Sequence, residues 1–168
     1  MCIRDSISPD NKKMAFGVDT LSRRIYTIKV KDLGTGKMYP DKIHGVNSYT
    51  TWASDSKTMF YTGKDEQTLR SDKIFRHTLG ESQDDDTLVY EEKDETFSTY
   101  VYPSKSREYI MIGSTSTMAT EYRFLSSKTP LESFKVLQKR ERGLEYSPSH
   151  VGDMFYISTH IDESTNFK

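Results

Sequence analysis

The chain has 168 residues, with 24 Lys and Arg against 25 Asp and Glu, and its formal net charge at pH 7 is −1. This balance argues against a nucleic-acid partner and against a membrane-surface partner, because both select basic proteins. No stretch has the length of a membrane span, and the only cysteine, Cys2, cannot form an intrachain disulfide, so we expect a cytoplasmic protein. A hydrophobic content of 34% that includes 11 Tyr and 8 Phe favours short β-strands over a compact α/β core.

The predicted elements follow a short, atypical start. Residues 1–6 resemble neither a strand nor a cap, and we expect them to be foreign to the natural protein or to mark a truncated start. No helix is predicted, because the runs between turn residues are short and alternate with a period of two. In chain order, the predicted strands are 14–18, 24–30, 38–43 (broken by Pro40), 59–62, 73–78, 87–91, 96–102, 109–113, 121–125, 134–138 and 154–159.

A unit made of a polar turn and an apolar strand recurs along this series. In each copy Ser, Pro, Asp or Asn builds the turn, since Pro fixes φ and the others bond to nearby backbone. The copies begin near residues 8, 54, 104 and 147. The equivalent positions in the strands that follow these turns are Met14, Met59, Tyr109 and Met154. Successive positions are 45, 50 and 45 residues apart.

This period predicts the fold class. A repeat of ~40–50 residues with several short strands is typical of a β-propeller, in which stacked blades bury the faces that a lone sheet leaves open. The sequence therefore predicts an all-β chain whose residues 7–168 form a partial β-propeller of four-stranded antiparallel blades. It holds about three and a half blades, fewer than the four to eight of a closed ring, so we expect a piece of a larger protein.

No catalytic residue, metal ligand or cofactor site is predicted. A nucleophile elbow needs Gly-x-Ser-x-Gly, which is absent, and no serine has His and carboxylate partners at a recognisable spacing. The acidic run Asp84–Asp86 lacks the glycine of a calcium loop and is interpreted as a solvated hairpin tip. A structural or solvent-exposed role is favoured over a ligand role for the histidines, which lack metal-site spacing: His44, His77, His150 and His160.

Two charged pairs are the candidate site residues. Arg23 and Arg24 begin a strand and can bind carboxylates through two parallel hydrogen bonds, which suits an interdomain salt bridge or a peptide terminus. Glu91 and Glu92 open an acidic run that can attract a basic substrate through the protein's field. The alternatives are an exposed arginine pair of little energetic value and an ordinary charged loop.

Five segments carry a resemblance to a known family. They are residues 16–26 (with Ser-Arg-Arg-x-Tyr at 22–26), 32–40, 52–56, 74–80 and 88–97. Their order is similar to that in the N-terminal propeller of the prolyl oligopeptidase family of serine peptidases, and most similar to the oligopeptidase B branch.

The resemblance implies an architecture and an activity. In this family a seven-bladed propeller covers an α/β-hydrolase domain whose Ser-Asp-His triad cleaves short peptides, and the oligopeptidase B branch cuts after Arg and Lys. The propeller admits only small, unfolded peptides. By this resemblance the hydrolase domain is absent here, and the chain is an inactive, substrate-gating portion whose partners are a peptide substrate and that missing domain.

The alternative is a non-catalytic propeller that serves as a protein-interaction module. Repeats of the WD type carry Gly-His and Trp-Asp signatures. Here the only tryptophan, Trp52, is followed by Ala53, and no Gly-His pair occurs. The sequence therefore favours the peptidase interpretation.

Overall fold

A computed structural model describes residues 3–20, 22–65 and 67–159. Within these ranges the chain forms thirteen strands and one short 3-10 turn, Gln83–Asp85, with no α-helix. The strands are β1 (Ile3–Ile7), β2 (Lys13–Val18), β3 (Tyr26–Asp32), β4 (Met38–Trp52), β5 (Thr58–Lys64), β6 (Ser71–Thr78), β7 (Thr87–Glu91), β8 (Ser98–Pro103), β9 (Tyr109–Thr115), β10 (Thr120–Ser126), β11 (Lys135–Gln138), β12 (Tyr146–Val151) and β13 (Met154–Thr159).

The strands group into blades of consecutive antiparallel neighbours. Strands β1 to β7 are hydrogen-bonded in chain order, β8 to β11 form a four-stranded sheet, and β12 pairs with β13. Strand β4 is 15 residues long; its first part pairs with β3 up to Val46, and its last part pairs with β5 from Val46 to Trp52. It is therefore the outer strand of the first blade and the inner strand of the second. This architecture confirms the predicted partial β-propeller.

Two features of the first blade differ from the prediction. Strand β1 begins at Ile3 and pairs with β2 from Ile3↔Val18 to Ile7↔Met14, so the expectation that residues 3–6 form no strand is wrong. The backbone groups of β2 need partners whatever side chains the pairing strand carries. Strand β4 also continues through Pro40, where the register against β3 shifts. An outer strand tolerates proline because one side of its backbone forms no ladder hydrogen bonds.

The recurring turns share one backbone geometry. Each is closed by an N–H donating to the carbonyl five residues on, at 2.8–2.9 Å: Ser8 to Lys13, Ala53 to Thr58 and Ser104 to Tyr109. Each has a left-handed residue at its fourth position: Asn11 (φ 57°), Ser56 (φ 54°) and Arg107 (φ 62°). These matches confirm three of the four predicted copies and align Tyr109 with Lys13 and Thr58, one residue away from the predicted equivalence with Met14 and Met59. The fourth predicted turn is wrong for residues 147–150, which lie in β12 because they pair with β13, and the chain turns only at residues 152–153.

The core lies between blades. Every residue of β5 from Thr58 to Gly63 is buried, because the second blade has a neighbour on each face. Towards the first blade, Met59 and Tyr61 pack in a cluster with Ala15, Ile28, Val30, Ile43, Val46 and Trp52. Towards the third blade, Phe60 packs in a cluster with Ala53, Ile74, Val101, Ile110, Ile112 and Leu125. Trp52 also lies between these blades, and its Nε1 donates to the Ser6 carbonyl at 3.1 Å.

Aromatic rings fill the junction between the third blade and the β12–β13 hairpin. Tyr109 of the third blade contacts Phe155 and His150 of the hairpin, with ring centroids 5.2 and 4.7 Å apart. Phe124 lies 5.3 Å from Phe155 by the same measure. Edge-on and tilted contacts of this kind add to the stabilisation from area burial alone.

Substitution of Phe60 by Ala tests the junction between the second and third blades. Phe60 is fully buried, and we expect Phe60→Ala to lower the free energy of unfolding by about 3–5 kcal/mol. Leu131→Ala is the control, because Leu131 is 74% exposed, and its effect should stay within about 0.5 kcal/mol. Urea unfolding followed by Trp52 fluorescence measures both. Equal effects of the two variants would contradict this packing.

Candidate functional site

Antiparallel pairing brings the predicted site residues to one edge of the blades. Because β4 bends back at Gly45 (φ 72°) and the other strands alternate in direction, one edge collects five connecting segments. We call it the charged edge: residues 22–25, 67–70, 92–97, 116–119 and 139–145. The recurring Ser-rich turns lie at the opposite edge. Arg23, Arg24 and Glu92 belong to the charged edge, and Glu91 is the last residue of the strand that enters it.

A fixed backbone presents the two arginines. The Asp19 carboxylate accepts a hydrogen bond from the Arg24 backbone N–H at 2.7 Å, and the Lys64 ammonium donates to the Arg24 carbonyl at 2.9 Å. Ser22 (φ 55°) and Arg24 (φ 59°) are left-handed, which is uncommon for residues other than glycine. Burial and the neighbouring Arg24 charge lower the pKa of Lys64.

Arg23 and Arg24 are exposed, and neither guanidinium forms an ion pair with another residue that the structure describes. The two guanidiniums are therefore available to a carboxylate from outside these residues. A guanidinium can bind a carboxylate through two parallel hydrogen bonds.

The adjacent glutamates have different environments. Glu91 is exposed, and its carboxylate lies 3.9 Å from the Lys73 ammonium. The Glu92 side chain is only 4% exposed, and its carboxylate accepts hydrogen bonds from the Tyr90 hydroxyl and from Arg140 Nη2, both at 2.6 Å. Burial alone would raise the pKa of Glu92, but the bonds from Arg140 and Tyr90 outweigh it and lower the pKa to about 2. Of the two glutamates, only Glu91 therefore presents an exposed carboxylate.

Arg140 joins two connecting segments of the charged edge. Besides Glu92, Arg140 binds Glu121, with Nη2 to Oε1 at 3.2 Å and its backbone N–H to Oε2 at 3.0 Å. Its guanidinium lies 4.0 Å from the centroid of the Phe97 ring. Burial opposes the charge, yet the bonds to the two glutamates raise the pKa of Arg140. Arg140 is thus partly buried, whereas its neighbours Lys139 and Glu141 are exposed.

Arg70 fixes the backbone of residues 92–97. Its guanidinium donates to the carbonyl oxygens of Phe97 at 2.9 Å, Glu92 at 2.8 Å and Asp94 at 2.6 Å. Three bonds from one planar group hold a loop more firmly than single contacts do. Arg70 and Arg140 therefore leave Lys93, Asp94 and Glu95 exposed on a backbone that cannot move freely.

A second polar cluster lies between the first and second blades. The prediction of a solvated hairpin tip is wrong for Asp86. Its carboxylate lies 2.6 Å from His77 Nδ1 and accepts a hydrogen bond from the Tyr61 hydroxyl at 2.7 Å. His77 Nε2 lies 3.0 Å from Asp41 Oδ1, which confirms a structural role for this histidine. No group of three or more His, Cys, Asp or Glu residues is arranged to hold a metal ion in the described part of the chain.

Neither Arg140 nor Asp86 had a sequence signal. Arg140 is 48 residues from Glu92, and Asp41 is 36 residues from His77. Local sequence patterns cannot predict contacts between residues so far apart in the chain.

In residues 3–20, 22–65 and 67–159, no helix is long and apolar enough to cross a membrane.

Comparison with known proteins identifies the family. A model of the family described as "Prolyl oligopeptidase, N-terminal beta-propeller domain" matches residues 4–168, and the chain belongs to this family. Dipeptidyl aminopeptidase BI of Pseudoxanthomonas mexicana is 40% identical over 162 residues, which are 96% of this chain and 22% of that protein. Protease 2 of Moraxella lacunata is 30% identical over 164 residues, which are 96% of this chain and 24% of that protein.

Solved structures agree with the family and the fold. Oligopeptidase B from Leishmania major superposes with a TM-score of 0.85 at 29% identity, over 94% of this chain and 23% of that one. The closed, antipain-bound oligopeptidase B from Trypanosoma brucei has a TM-score of 0.88 at 24% identity, over 99% of this chain and 23% of that one, which supports the fold. The chain thus spans about a quarter of the length of these relatives.

Acid unfolding separates the roles of the two glutamates. The pKa of Glu92 in the folded chain is about 2, below its ordinary 4.5, so its ionised form stabilises the fold above pH 4.5 and this contribution disappears as pH falls towards 2. We expect Glu92→Gln to lower the free energy of unfolding by about 1–3 kcal/mol at pH 7. The same variant should make the free energy of unfolding depend less on pH in the acidic range. Glu91→Gln should match the parent chain. Urea midpoints from pH 7 to pH 2 test this, and indistinguishable profiles of the two variants would refute the assignment.

Replacement of Arg140 tests the link between the two connecting segments. Arg140→Met leaves Glu92 and Glu121 buried without their shared partner, and we expect a loss of about 3 kcal/mol in the free energy of unfolding. Arg142→Met, in the same loop, removes an exposed charge and should change stability by less than about 0.5 kcal/mol. Urea unfolding at pH 7 compares the variants, and a comparable loss in Arg142→Met would contradict the network.

Proposed function

We propose that this chain is the substrate-gating propeller portion of a serine oligopeptidase that hydrolyses short peptides after Arg or Lys. The observation that carries the proposal is the propeller-family match over residues 4–168, combined with coverage of only 22–24% of relatives that are named as peptidases. The triad belongs, in this proposal, to an α/β-hydrolase domain outside the chain. A peptide and that domain are the partners.

Steric exclusion supplies the gate. The blades are joined by buried apolar clusters and cannot separate without exposing residues such as Met59 and Phe60. A folded protein cannot pass such an array, whereas an extended peptide is narrow enough to go around or through it. The propeller then acts on access to the active site and takes no part in bond cleavage.

The charged edge favours a basic peptide in this proposal. Glu91 is exposed, and Asp94 and Glu95 are held outward on the segment that Arg70 fixes. A fixed group of carboxylates raises the local concentration of cationic substrates. Glu92 contributes indirectly, since its bonds to Arg140 position the segment.

Arg23 and Arg24 are assigned to the interface with the hydrolase domain. Their exposed guanidiniums and the backbone fixed by Asp19 and Lys64 support an interdomain salt bridge. The net charge of −1 and the single cysteine support a cytoplasmic protein without nucleic-acid or membrane partners.

The isolated chain is expected to show no peptidase activity. Purified residues 1–168 should not hydrolyse fluorogenic arginyl or lysyl peptides, since no Gly-x-Ser-x-Gly motif is present. The natural coding sequence beyond Lys168 should encode further blades and then that motif. Arginyl-peptide hydrolysis by the chain itself, blocked by a serine-directed inhibitor, would overturn the gating assignment. A coding sequence without the motif would favour the non-catalytic interaction module.

Release of dipeptides is a second candidate activity. The observation that favours it is the 40% identity to the relative named dipeptidyl aminopeptidase BI. Arginyl peptides with a free and with an acetylated amino terminus distinguish the two candidates when the longer protein is assayed. Cleavage of both substrates supports the oligopeptidase, whereas loss of dipeptides from the free peptide alone supports the aminopeptidase.

A further inference from the structure

A buried imidazole joins the first and second blades. His77 lies on β6 of the second blade, and Asp41 lies on the part of β4 that forms the outer strand of the first blade. His77 Nε2 is 3.0 Å from Asp41 Oδ1, and His77 Nδ1 is 2.6 Å from Asp86 Oδ1. The three side chains are 1–3% exposed.

The other contacts of the Asp41 and Asp86 carboxylates limit the protonation states that are open to His77. Asp86 Oδ2 accepts from the Tyr61 hydroxyl at 2.7 Å, and Asp41 Oδ1 also accepts from the Gly80 backbone N–H at 2.6 Å. Asp41 Oδ2 is buried without a hydrogen-bond partner among the described residues. Burial and the bond to Asp86 raise the pKa of Tyr61, which keeps this tyrosine neutral. The titratable groups that face the imidazole are therefore Asp41 from β4, Asp86 from the β6–β7 connection and Tyr61 from β5.

The number of hydrogen-bond donors that the two carboxylates require determines the protonation state of the His77 imidazole. A neutral ring has one N–H and one lone pair, so one ring nitrogen would face a carboxylate oxygen with no proton between them. A doubly protonated ring donates to both carboxylates and offsets part of their buried negative charge. We propose that Asp41, His77 and Asp86 form a proton-dependent latch, in which a doubly protonated His77 holds the first two blades together at neutral pH.

The direction of the pKa agrees with this geometry. Burial favours the neutral ring, but the hydrogen bonds and charges of Asp86 and Asp41 outweigh burial and raise the pKa of His77 above its ordinary 6.5. The latch therefore stabilises the fold fully below pH 6.5, and its contribution is lost as pH rises through the raised pKa. The junction therefore weakens as pH rises above this raised pKa.

The uncharged side chain of Gln83 attaches the β6–β7 connection to the first blade. Gln83 Oε1 accepts from the His44 backbone N–H at 2.8 Å, and Gln83 Nε2 donates to the His44 carbonyl at 3.0 Å. These two bonds do not depend on the protonation of His77. Loss of the proton therefore loosens the buried end of the junction while the outer end stays attached, which produces a local change at the blade contact.

Nuclear magnetic resonance of the imidazole nitrogens tests the proposal in the unmodified chain. We expect two ring N–H protons on His77 at pH 7 and a titration midpoint above about 6.5. His150 is the internal control, because its Nδ1 lies 2.8 Å from the Ser106 hydroxyl and its ring forms no ion pair with a carboxylate of residues 3–20, 22–65 or 67–159. A single ring N–H proton on His77 at pH 7, with the missing proton on an aspartic acid, would overturn the proposal.

Two variants link this titration to stability. From pH 6 to pH 9 the unfolding equilibrium of the parent chain should shift towards the unfolded state by up to about tenfold for each pH unit that the titration covers. His150→Gln should keep this slope, and His77→Gln should remove it. If His77→Gln does not fold, Asp41→Asn is used instead, and the midpoint of His77 must fall. Parallel slopes in the parent chain and His77→Gln, or an unchanged midpoint in Asp41→Asn, would reject the latch.

Discussion

Face-to-face burial between blades is the constraint on which the rest of this structure depends. Each sheet is too small to cover its own apolar side chains, so both faces of an inner blade must be covered by neighbours. The buried run of β5 and the similarly buried run of β9 are the direct result. Strand β13 carries Met154 and Tyr156 at 59% and 55% exposure, because the described residues cover the opposite face of the strand, where Phe155 contacts Tyr109.

Polar clusters complete the junctions where aliphatic packing ends. Arg140 joins the segments before and after the third blade, and His77 joins the first blade to the second. Buried charges are weak sources of net stability, because desolvation offsets their attraction. They restrict geometry more than they add energy, since a small displacement leaves a charged group without a partner. The apolar clusters thus hold the blades together, and the ionic clusters set their relative positions.

The sequence predicted what local patterns encode and missed what distant contacts decide. Strands such as β5 and β7 were predicted from turn residues and apolar runs. The family was predicted from five sequence segments, and the match to the family model confirms it. Strand β1 and the continuity of β4 through Pro40 were missed, because pairing with a neighbouring strand overrode the local signal. At the charged edge, sequence placed Glu91 and Glu92 together, but only the contact with Arg140 shows that the second one is buried.

The course of β4 has a consequence for how the blades are joined. The strand bends at Gly45 (φ 72°) and runs back along the second blade, because the turns beside its two ends are neighbours, with the Asp10 backbone N–H donating to the Ser56 hydroxyl at 3.0 Å. The passage from the outer strand of the first blade to the inner strand of the second therefore needs no separate connecting segment. Residues 92–97, in contrast, connect the second blade to the third through an irregular segment that Arg70 braces from the side. Consecutive blades are therefore joined by two different kinds of backbone path, a bent strand in one case and a braced irregular segment in the other.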